Sequence, residues 1–340
     1  MRSIRLSSGI LVVAAASLVP LHMVAAEDAT DGSVYLGIEN DVFAGTDNHY
    51  TSGVHGEYTS APGETPPLLT PIRRAIAPLL DDTAEWRMIL GAGQAIFVPP
   101  DIRIAAPAAD QRPYAGWLYA HVGLAAEQER RLDIFRARLG VLGPSSLAEL
   151  VQKRLHRQIG SPRPEGWETQ IGAQPTVDLY YQHIHRFGGR FDIGGARFKA
   201  EFLPHVRMEA GNVDTYGALG FSLRVGQNYA EDFGPAARRR GASGGGVATP
   251  ESGFGWSVFA SVEGRAIAHA GLIEGPLFSE SREAEPERLT GDVGVGLSLS
   301  YGPAELSYTH VIESKEYAAQ RRTGALGHHQ FGALNLRVSF

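Results

Sequence analysis

The chain has 340 residues, no cysteine, a formal charge of −6 and a hydrophobic content of 43%. The missing cysteines exclude disulfides, thiolate metal sites and cysteine nucleophiles, and the acidic balance provides no basic surface for nucleic acid. The hydrophobic content is too high for a disordered chain.

The first 26 residues have the three-part pattern of a secretory signal peptide. Two arginines precede an apolar run from Ile10 to Pro20, and Val24 and Ala26 precede the expected cleavage point. The alternative is an uncleaved anchor, but the run is too short for a mature membrane-spanning helix. We therefore expect a single mature domain over residues 27–340, with a charge of −8 once the two arginines are removed.

The mature part alternates apolar with polar or small residues, which is the period of a β-strand. In "DVGVGLSLS", for example, Val293 and Val295 alternate with Asp292 and Gly294. We predict twelve strands, at 33–41, 51–60, 86–98, 114–128, 130–142, 169–186, 192–208, 214–227, 255–269, 288–300, 304–313 and 329–340. An even number suits a closed bacterial barrel, because closure removes the sheet edges.

Alternation alone does not say which way the apolar face points. It points inward in a soluble sandwich and outward to lipid in a membrane barrel. Many predicted strands reach the ten residues that a tilted span needs, and the chain ends on an amphipathic strand at Phe340. Aromatic residues near strand ends, at 117–119 and 180–181, predict an interfacial girdle. The predicted fold is all-β: a closed antiparallel outer-membrane β-barrel of about 12 strands, with a short helix in one loop.

The first strand ends in an unusually polar segment. Seven oxygen-bearing side chains fall within 13 residues: Glu39, Asn40, Asp41, Thr46, Asp47, Asn48 and Thr51. Calcium prefers such ligands, although the spacing is not that of an EF-hand loop. A polar hairpin turn is the alternative. Asp41 favours a site, because acidic residues are unfavourable in strands.

One stretch, "GPSSLAELVQKRLHRQIG" at 143–160, predicts a helix. Ser146 and Glu149 match a capping box, and Gly160 marks the helix end. An apolar stripe is formed by Leu147, Leu150, Val151 and Leu155.

A second face of this helix carries Glu149, Gln152 and His156. Polar residues on the solvated side of a loop helix are ordinary, and that is one interpretation. The other is functional: His156 acts as a general base, and Gln152, one turn earlier, orients water or substrate.

Four segments in this order resemble the LpxR-type outer-membrane lipid A 3′-O-deacylases. They are "ENDVFAGTDNHYTSG" (39–53), "FVPPDI…DQRPYAGWLYA" (97–120), "GVLGPSSLAELVQKRLHRQIGSPRPEGWETQI" (140–171) and "SYTHVIESKEY…HHQFGALNLRVSF" (307–340). The resemblance implies a twelve-stranded barrel in the bacterial outer membrane. It also implies calcium-dependent hydrolysis of the 3′-linked acyl ester of lipid A. We expect a membrane-embedded monomer with lipid A or lipopolysaccharide as its partner and no nucleic acid.

The resemblance also implies roles for particular residues. The family's Asn-Asp pair falls on Asn40 and Asp41, its threonine on Thr51, and its glutamine and histidine on Gln152 and His156. Asp41, with Asn40, would hold calcium, and His156 would activate a water molecule. A calcium ion can stabilise an ester oxyanion while histidine takes the proton, so no serine nucleophile is needed.

One departure from the family pattern concerns the loop after the third strand. The family's active-site lysine has no counterpart in "PPDIRIAAPAADQRP", where Arg103 is the nearest basic residue. Arginine and lysine are not equivalent at a phosphate or acyl contact. The alternatives are therefore a barrel of the same fold with altered lipid specificity or no activity, such as a phospholipase-like or structural outer-membrane protein, and a passive porin.

Overall fold

The structure, a computed structural model, describes residues 32–45, 49–80, 83–229, 232–234, 253–278, 281–321 and 329–340. The expected signal peptide at 1–26 lies outside these residues. So do Thr46, Asp47 and Asn48 from the polar segment, and most of the loop at 238–253.

Thirteen strands are described. They are β1 Ser33–Asn40, β2 His49–Thr59, β3 Glu85–Val98, β4 Ala115–Gln128, β5 Arg131–Leu142, β6 Gln174–His185, β7 Phe187–Ile193, β8 Ala196–Gly211, β9 Asp214–Gln227, β10 Phe254–Ala270, β11 Leu289–Tyr301, β12 Ala304–Glu313 and β13 His329–Ser339. The α-helices of the described residues are α1 Thr70–Ile76, α2 Ala148–Ile159 and α3 Gly271–Glu274. No described helix has the length and hydrophobicity needed to cross a membrane.

The sheet closes on itself. Neighbouring strands pair antiparallel, and β1 pairs with β13 over its whole length, from Ser33 opposite Ser339 to Asn40 opposite Gly332. Because β6 pairs directly with β8, twelve strands form the barrel wall. The extra strand β7 pairs with β8 beyond the end of β6, and Gly194 and Gly195 turn the chain between them with φ of 59° and 83°. The predicted twelve-stranded barrel is confirmed, with one additional strand.

The apolar face of the strands points outward. Val293, Val295 and Leu219 are exposed, whereas Asp292 is buried inside. The same holds in the second half of the last strand, where Leu334 and Leu336 are exposed and Asn335 and Arg337 are buried. Because the outer face of a membrane barrel contacts lipid, this is the arrangement of an outer-membrane barrel rather than a sandwich.

The two ends of the barrel differ. The end at which β1 begins and β13 ends is called here the termini end, and the opposite end, where β1, β3, β5, β8, β10 and β12 finish, is called the rim. The prediction of an aromatic girdle at 117–119 and 180–181 was wrong for Trp117, Tyr119 and Tyr180, which point into the lumen. The alternation of side chains along each strand places these residues on the inward face. Their position near a strand end does not show which face they are on.

The lumen is filled by charged pairs and, near the termini end, by apolar side chains. Glu57 accepts from His121 and Arg136, each at 3.0 Å. Burial of charges is tolerated because each has an opposite partner. Below them lies an apolar cluster of Ile89, Ala125, Leu132, Ile134, Ile184, Leu203 and Phe233. The barrel is therefore packed, not open, at this level.

Candidate active site at the rim

Asn40 and Asp41 form a tight turn where β1 reaches the rim. The Asn40 side chain accepts a hydrogen bond from the Val42 backbone N–H at 2.8 Å, so it caps a 3₁₀ turn over Asp41–Ala44. The turn folds over β13 at Gly332, where a Cβ atom would lie 2.6 Å from Phe43 Cβ. Asp41 is fully buried as a result.

Thr51 lies beside this turn because β2 carries an irregularity. Tyr50 pairs with Phe97 and Ser52 with Ile96, which leaves Thr51 as an extra residue in a bulge. Bulges at barrel rims re-aim side chains, and Thr51 is buried. Since Asn40 pairs with Ser52, the structure brings Asn40, Asp41 and Thr51 to one corner of the rim.

A hydrogen bond fixes the same corner from below. The Tyr50 hydroxyl donates to the Glu39 carboxylate, and both side chains are buried. The two groups meet over Gly53, where any Cβ atom would collide with the Tyr50 hydroxyl. A residue without a side chain is therefore required beside the predicted site.

Helix α2 is seated on the rim above β4. Gly116 lacks the side chain that would otherwise collide with Ser146 and Ala148 at the start of the helix. The Gln94 amide of β3 donates to the Ser146 carbonyl at 2.6 Å. Two neighbouring strands thus set the position of the helix.

The predicted helix ends are partly correct. Gly160, with φ of 72°, ends α2 as expected. The capping box was wrong: Leu147 occupies the cap position in a left-handed conformation, and Glu149 pairs with Lys153 at 2.5 Å. Glu149 forms an ion pair with Lys153, one turn later on the helix, instead of reaching back to the helix start.

The polar face of α2 is buried and its apolar stripe is exposed. Gln152 and His156 are 2% and 6% exposed, whereas Leu150 and Val151 are 61% and 43% exposed. The interpretation of these polar residues as an ordinary solvated face was therefore wrong. The helix therefore turns Gln152 and His156 toward the protein. Its exposed side combines apolar side chains with Arg154, Arg157 and Gln158.

His156 is held in one tautomer. Its Nδ1 lies 2.7 Å from the Pro162 carbonyl oxygen. A carbonyl can only accept, so Nδ1 carries the proton and the neutral ring presents the lone pair of Nε2. This is the arrangement that a general base requires.

Gln152 is oriented by an indole. Trp167 Nε1–H donates to Gln152 Oε1 at 2.8 Å, and Trp167 packs on Tyr114 with ring centroids 4.9 Å apart. The Gln152 amide nitrogen is buried and has no hydrogen-bond partner within the described part of the chain. A buried unpaired donor is costly, so this N–H group is available to a bound molecule.

The two halves of the predicted site face the same rim. One hydrogen-bonded row runs from Asn40 to Ser52, Ile96 and Gly116, directly beneath the start of α2. Three strand spacings separate the row's ends, or about 14 Å of sheet at roughly 4.8 Å each. The turn after β1 and the helix after β5 thus flank one segment of rim.

Arg103 does not join these residues. Its guanidinium is 71% exposed and donates to both Asp101 carboxylate oxygens, each at 2.8 Å. The hydrogen bonds from Arg103 lower the pKa of the Asp101 carboxyl to about 2. The rest of this loop supports the helix: Tyr114 donates to the Ile102 carbonyl at 2.9 Å, beside Trp167.

A separate cavity of about 80 Å³ lies inside the lumen, lined among others by Trp117, Tyr119 and Arg138. None of the predicted site residues lines it. The candidate site is therefore on the rim rather than in the barrel interior.

Sequence reasoning missed the residues that orient the predicted ones. Pro162, Trp167 and Gly116 contact the base, the glutamine and the helix start, respectively. A tryptophan within the polar, proline-rich stretch after the helix was the available signal, but its partner is set only by folding.

The oxygen donors of the corner suit a hard cation. Asn40, Asp41 and Thr51 offer an amide oxygen, a carboxylate and a hydroxyl, the groups calcium prefers. Among the described residues, no three His, Asp or Glu side chains cluster as a metal site. A calcium ion here would take its remaining ligands from backbone carbonyls, water or substrate.

Comparison with known proteins gives one family. The family model for outer membrane protein LpxR matches residues 10–340. The structure is similar to LpxR from Salmonella typhimurium, with a TM-score of 0.69 and 19% identity over 91% of this chain and 100% of that one. It is less similar to the β domain of the Bordetella autotransporter BrkA, with a TM-score of 0.45 and 12% identity over 92% and 100% of the two chains. No curated protein sequence matches.

Proposed function

This chain belongs to the LpxR family of outer membrane proteins, and on that premise we propose that it is a lipid A 3′-O-deacylase. The proposed reaction is calcium-dependent hydrolysis that removes the 3′-linked acyloxyacyl group, with a water molecule activated by His156. The observation that carries the proposal is the buried polar face of α2, on which a histidine is locked with its Nε2 lone pair available.

His156 would act as the base. With Nδ1–H held by the Pro162 carbonyl, Nε2 takes the proton of a water molecule as that water attacks the ester carbonyl. The same hydrogen bond stabilises the imidazolium that forms, because its N–H donor grows stronger on protonation. The proton then passes to the leaving alkoxide.

Gln152, Asn40 and Thr51 would position the reacting groups. The buried amide N–H of Gln152 can donate to the water or the ester oxygen, and the hydroxyl of Thr51 would contact the same reacting groups. Such donors stabilise developing negative charge when they are fixed before the reaction.

Asp41 and Asn40 would hold the calcium ion. When bound, calcium would supply a positive charge next to the ester carbonyl oxygen. The carboxylate of Asp41, buried in the rim turn, supplies the hard oxygen ligands that calcium prefers.

The exposed stripe of α2 supports a lipid substrate. Leu147, Leu150 and Val151 face outward from the helix that carries the base. At the rim of an outer-membrane barrel such side chains can contact acyl chains directly, so the scissile ester would be reached from the membrane.

One observation favours altered lipid specificity as the second candidate. Arg103, the basic residue nearest to the position of the family's lysine, has an exposed side chain that is bound to Asp101. The contact that a lysine would make with phosphate or acyl oxygens is then supplied by another group or is lacking.

His156→Ala and Asp41→Ala test the proposal. Each should lower release of the 3′ acyloxyacyl group by at least about 10²-fold, because His156→Ala removes the general base and Asp41→Ala removes the proposed calcium ligand. The measurement is mass spectrometry of lipid A from cells expressing each variant. Gln158→Ala, an exposed change on the same helix, is the control. Unchanged deacylation in either site variant contradicts the assignment.

Chelation tests the calcium requirement. Purified protein treated with a calcium-selective chelator should lose deacylation, and excess calcium should restore it, because calcium would offset the developing oxyanion charge. Binding of calcium measured by calorimetry should be lost in Asp41→Asn. Full activity in chelator would remove the metal from the mechanism.

A further inference from the structure

Helix α1 lies against the outside of the barrel near the termini end. Leu69 at its start packs on Trp86, Leu124 and Ala126, all on the outward face of β3 and β4. The Arg73 guanidinium stacks over the Trp86 ring at 5.5 Å. The connection between β2 and β3 is thus docked on the wall instead of extending away from the barrel.

The outer side of this connection is apolar. Leu68 and Leu79 are 83% and 75% exposed, and Ile72 is also exposed. Arg73 and Arg74 lie in the last turn of the same helix. Apolar side chains beside arginines are typical of helices that lie in the membrane interface, where the arginines reach the phosphates.

A groove of about 420 Å³ runs between α1 and the outward face of β4, β5, β6 and β8. Its floor is one strand row in which Ala137 and Ala210 alternate with the larger Val122 and Leu179. The two small residues create the depression. Its size falls within the range of roughly 300–1,000 Å³ that is usual for small-molecule sites.

Charged groups border the groove on the side of the termini end. Tyr181, which lines the groove, donates to Asp133 at 2.7 Å. Arg131 donates to the same carboxylate at 2.5 Å, next to the short turn that follows β4. Arg73 and Arg74 belong to α1, which forms another wall of the groove, so the described surroundings of the groove include three arginines.

We propose that this groove binds one glycerophospholipid of the periplasmic leaflet. An acyl chain lies over Ala137 and Ala210, and the phosphate contacts the arginines of α1. Two observations select this occupant. The groove is lined by the lipid-facing wall of the barrel, and its charged border lies toward the termini end, opposite the rim that carries the proposed deacylase site, so the choice of leaflet rests on the proposed function. The α1 segment forms one wall of the lipid site and anchors it in the interface.

Filling the groove tests the proposal. Full-length Ala137→Trp and Ala210→Trp, extracted in mild detergent, should retain at least about tenfold less co-purified phospholipid by native mass spectrometry than the unmodified protein. Ala120→Trp, an exposed outward position on β4 outside the groove, should retain it fully. Heat-modifiable gel migration shows whether each barrel is folded.

The head-group contact is tested separately with vesicle lipids of known composition. Arg73→Gln with Arg74→Gln should lower retention of phosphatidylglycerol and phosphatidylethanolamine several-fold. Equal retention in groove and control variants, or bound lipopolysaccharide in place of phospholipid, would overturn the proposal. The phospholipid proposal does not depend on the deacylation activity of the same preparations. Loss of phospholipid with intact deacylation therefore still supports a phospholipid site in the groove.

Discussion

At the scale of single residues, function depends on how a few side chains are held. His156 is an ordinary histidine by sequence, but the Pro162 carbonyl selects its tautomer at 2.7 Å. Trp167 likewise decides which end of the Gln152 amide faces the site. Neither Pro162 nor Trp167 is a residue type that would be selected as catalytic from its chemistry alone.

Trp167→Phe tests this orienting role. Phenylalanine keeps most of the packing on Tyr114 but removes the N–H donor, which leaves the buried Gln152 oxygen unpaired at a cost of about 1–3 kcal/mol. We expect kcat for deacylation to fall about tenfold, with a smaller change in KM. Trp256→Phe, on a distant strand, is the control. Equal kinetics in both variants would show that the indole only fills space.

At the scale of elements, the strands and the helix share one rule: polar faces turn inward and apolar faces turn outward. On the strands this puts Asp292 inside and Val293 outside. On α2 it buries His156 and exposes Leu150. The rule holds because the surroundings of the barrel wall are apolar, so burial of polar groups inside the protein is favourable there.

The contact of α2 with Gly116 of β4 gives a prediction at the scale of elements. Gly116→Val introduces a side chain where Ser146 and Ala148 approach the strand, so the helix start must move. A displacement of about 1 Å can reduce catalysis about 10²-fold, and we expect such a loss in the deacylation rate. Gly264→Val, at a strand glycine with open space around it, should keep its activity. A fully active Gly116→Val with an unshifted gel migration would contradict this seat.

At the scale of the whole molecule, the filled lumen separates this closed barrel from a passive pore. Pairing of β1 with β13 closes the wall, and an apolar cluster around Phe233 and Leu203 occupies the lumen near the termini end. Above this cluster, charged pairs such as Arg138 with Glu209 at 2.6 Å cross the interior. The lumen serves as a core that supports the rim.

Conductance measurements test this filling. In a planar lipid bilayer the protein should give no steady ohmic current, because apolar side chains displace the water that ions need. Leu203→Gly with Phe233→Gly should introduce measurable current in the same preparation. A steady porin-like current through the unmodified protein would contradict a filled lumen.

The sequence by itself determined the strand period, the twelve-stranded wall and the polar residues that a site could use. These follow from local alternation and from residue chemistry, which need no knowledge of distant contacts. The strand boundaries differ by a few residues and the extra strand β7 was not predicted, because pairing rather than local preference ends a strand.

Only the tertiary structure decided which way each face points and which residues contact one another. Alternation is the same whether the apolar face points in or out, so only closure showed that Val293 faces outward and Trp117 faces the lumen. Helical spacing puts Gln152 and His156 on one face, but only the seat on Gly116 turned that face toward the protein. These features depend on contacts between residues far apart in the chain, and no local pattern encodes such contacts.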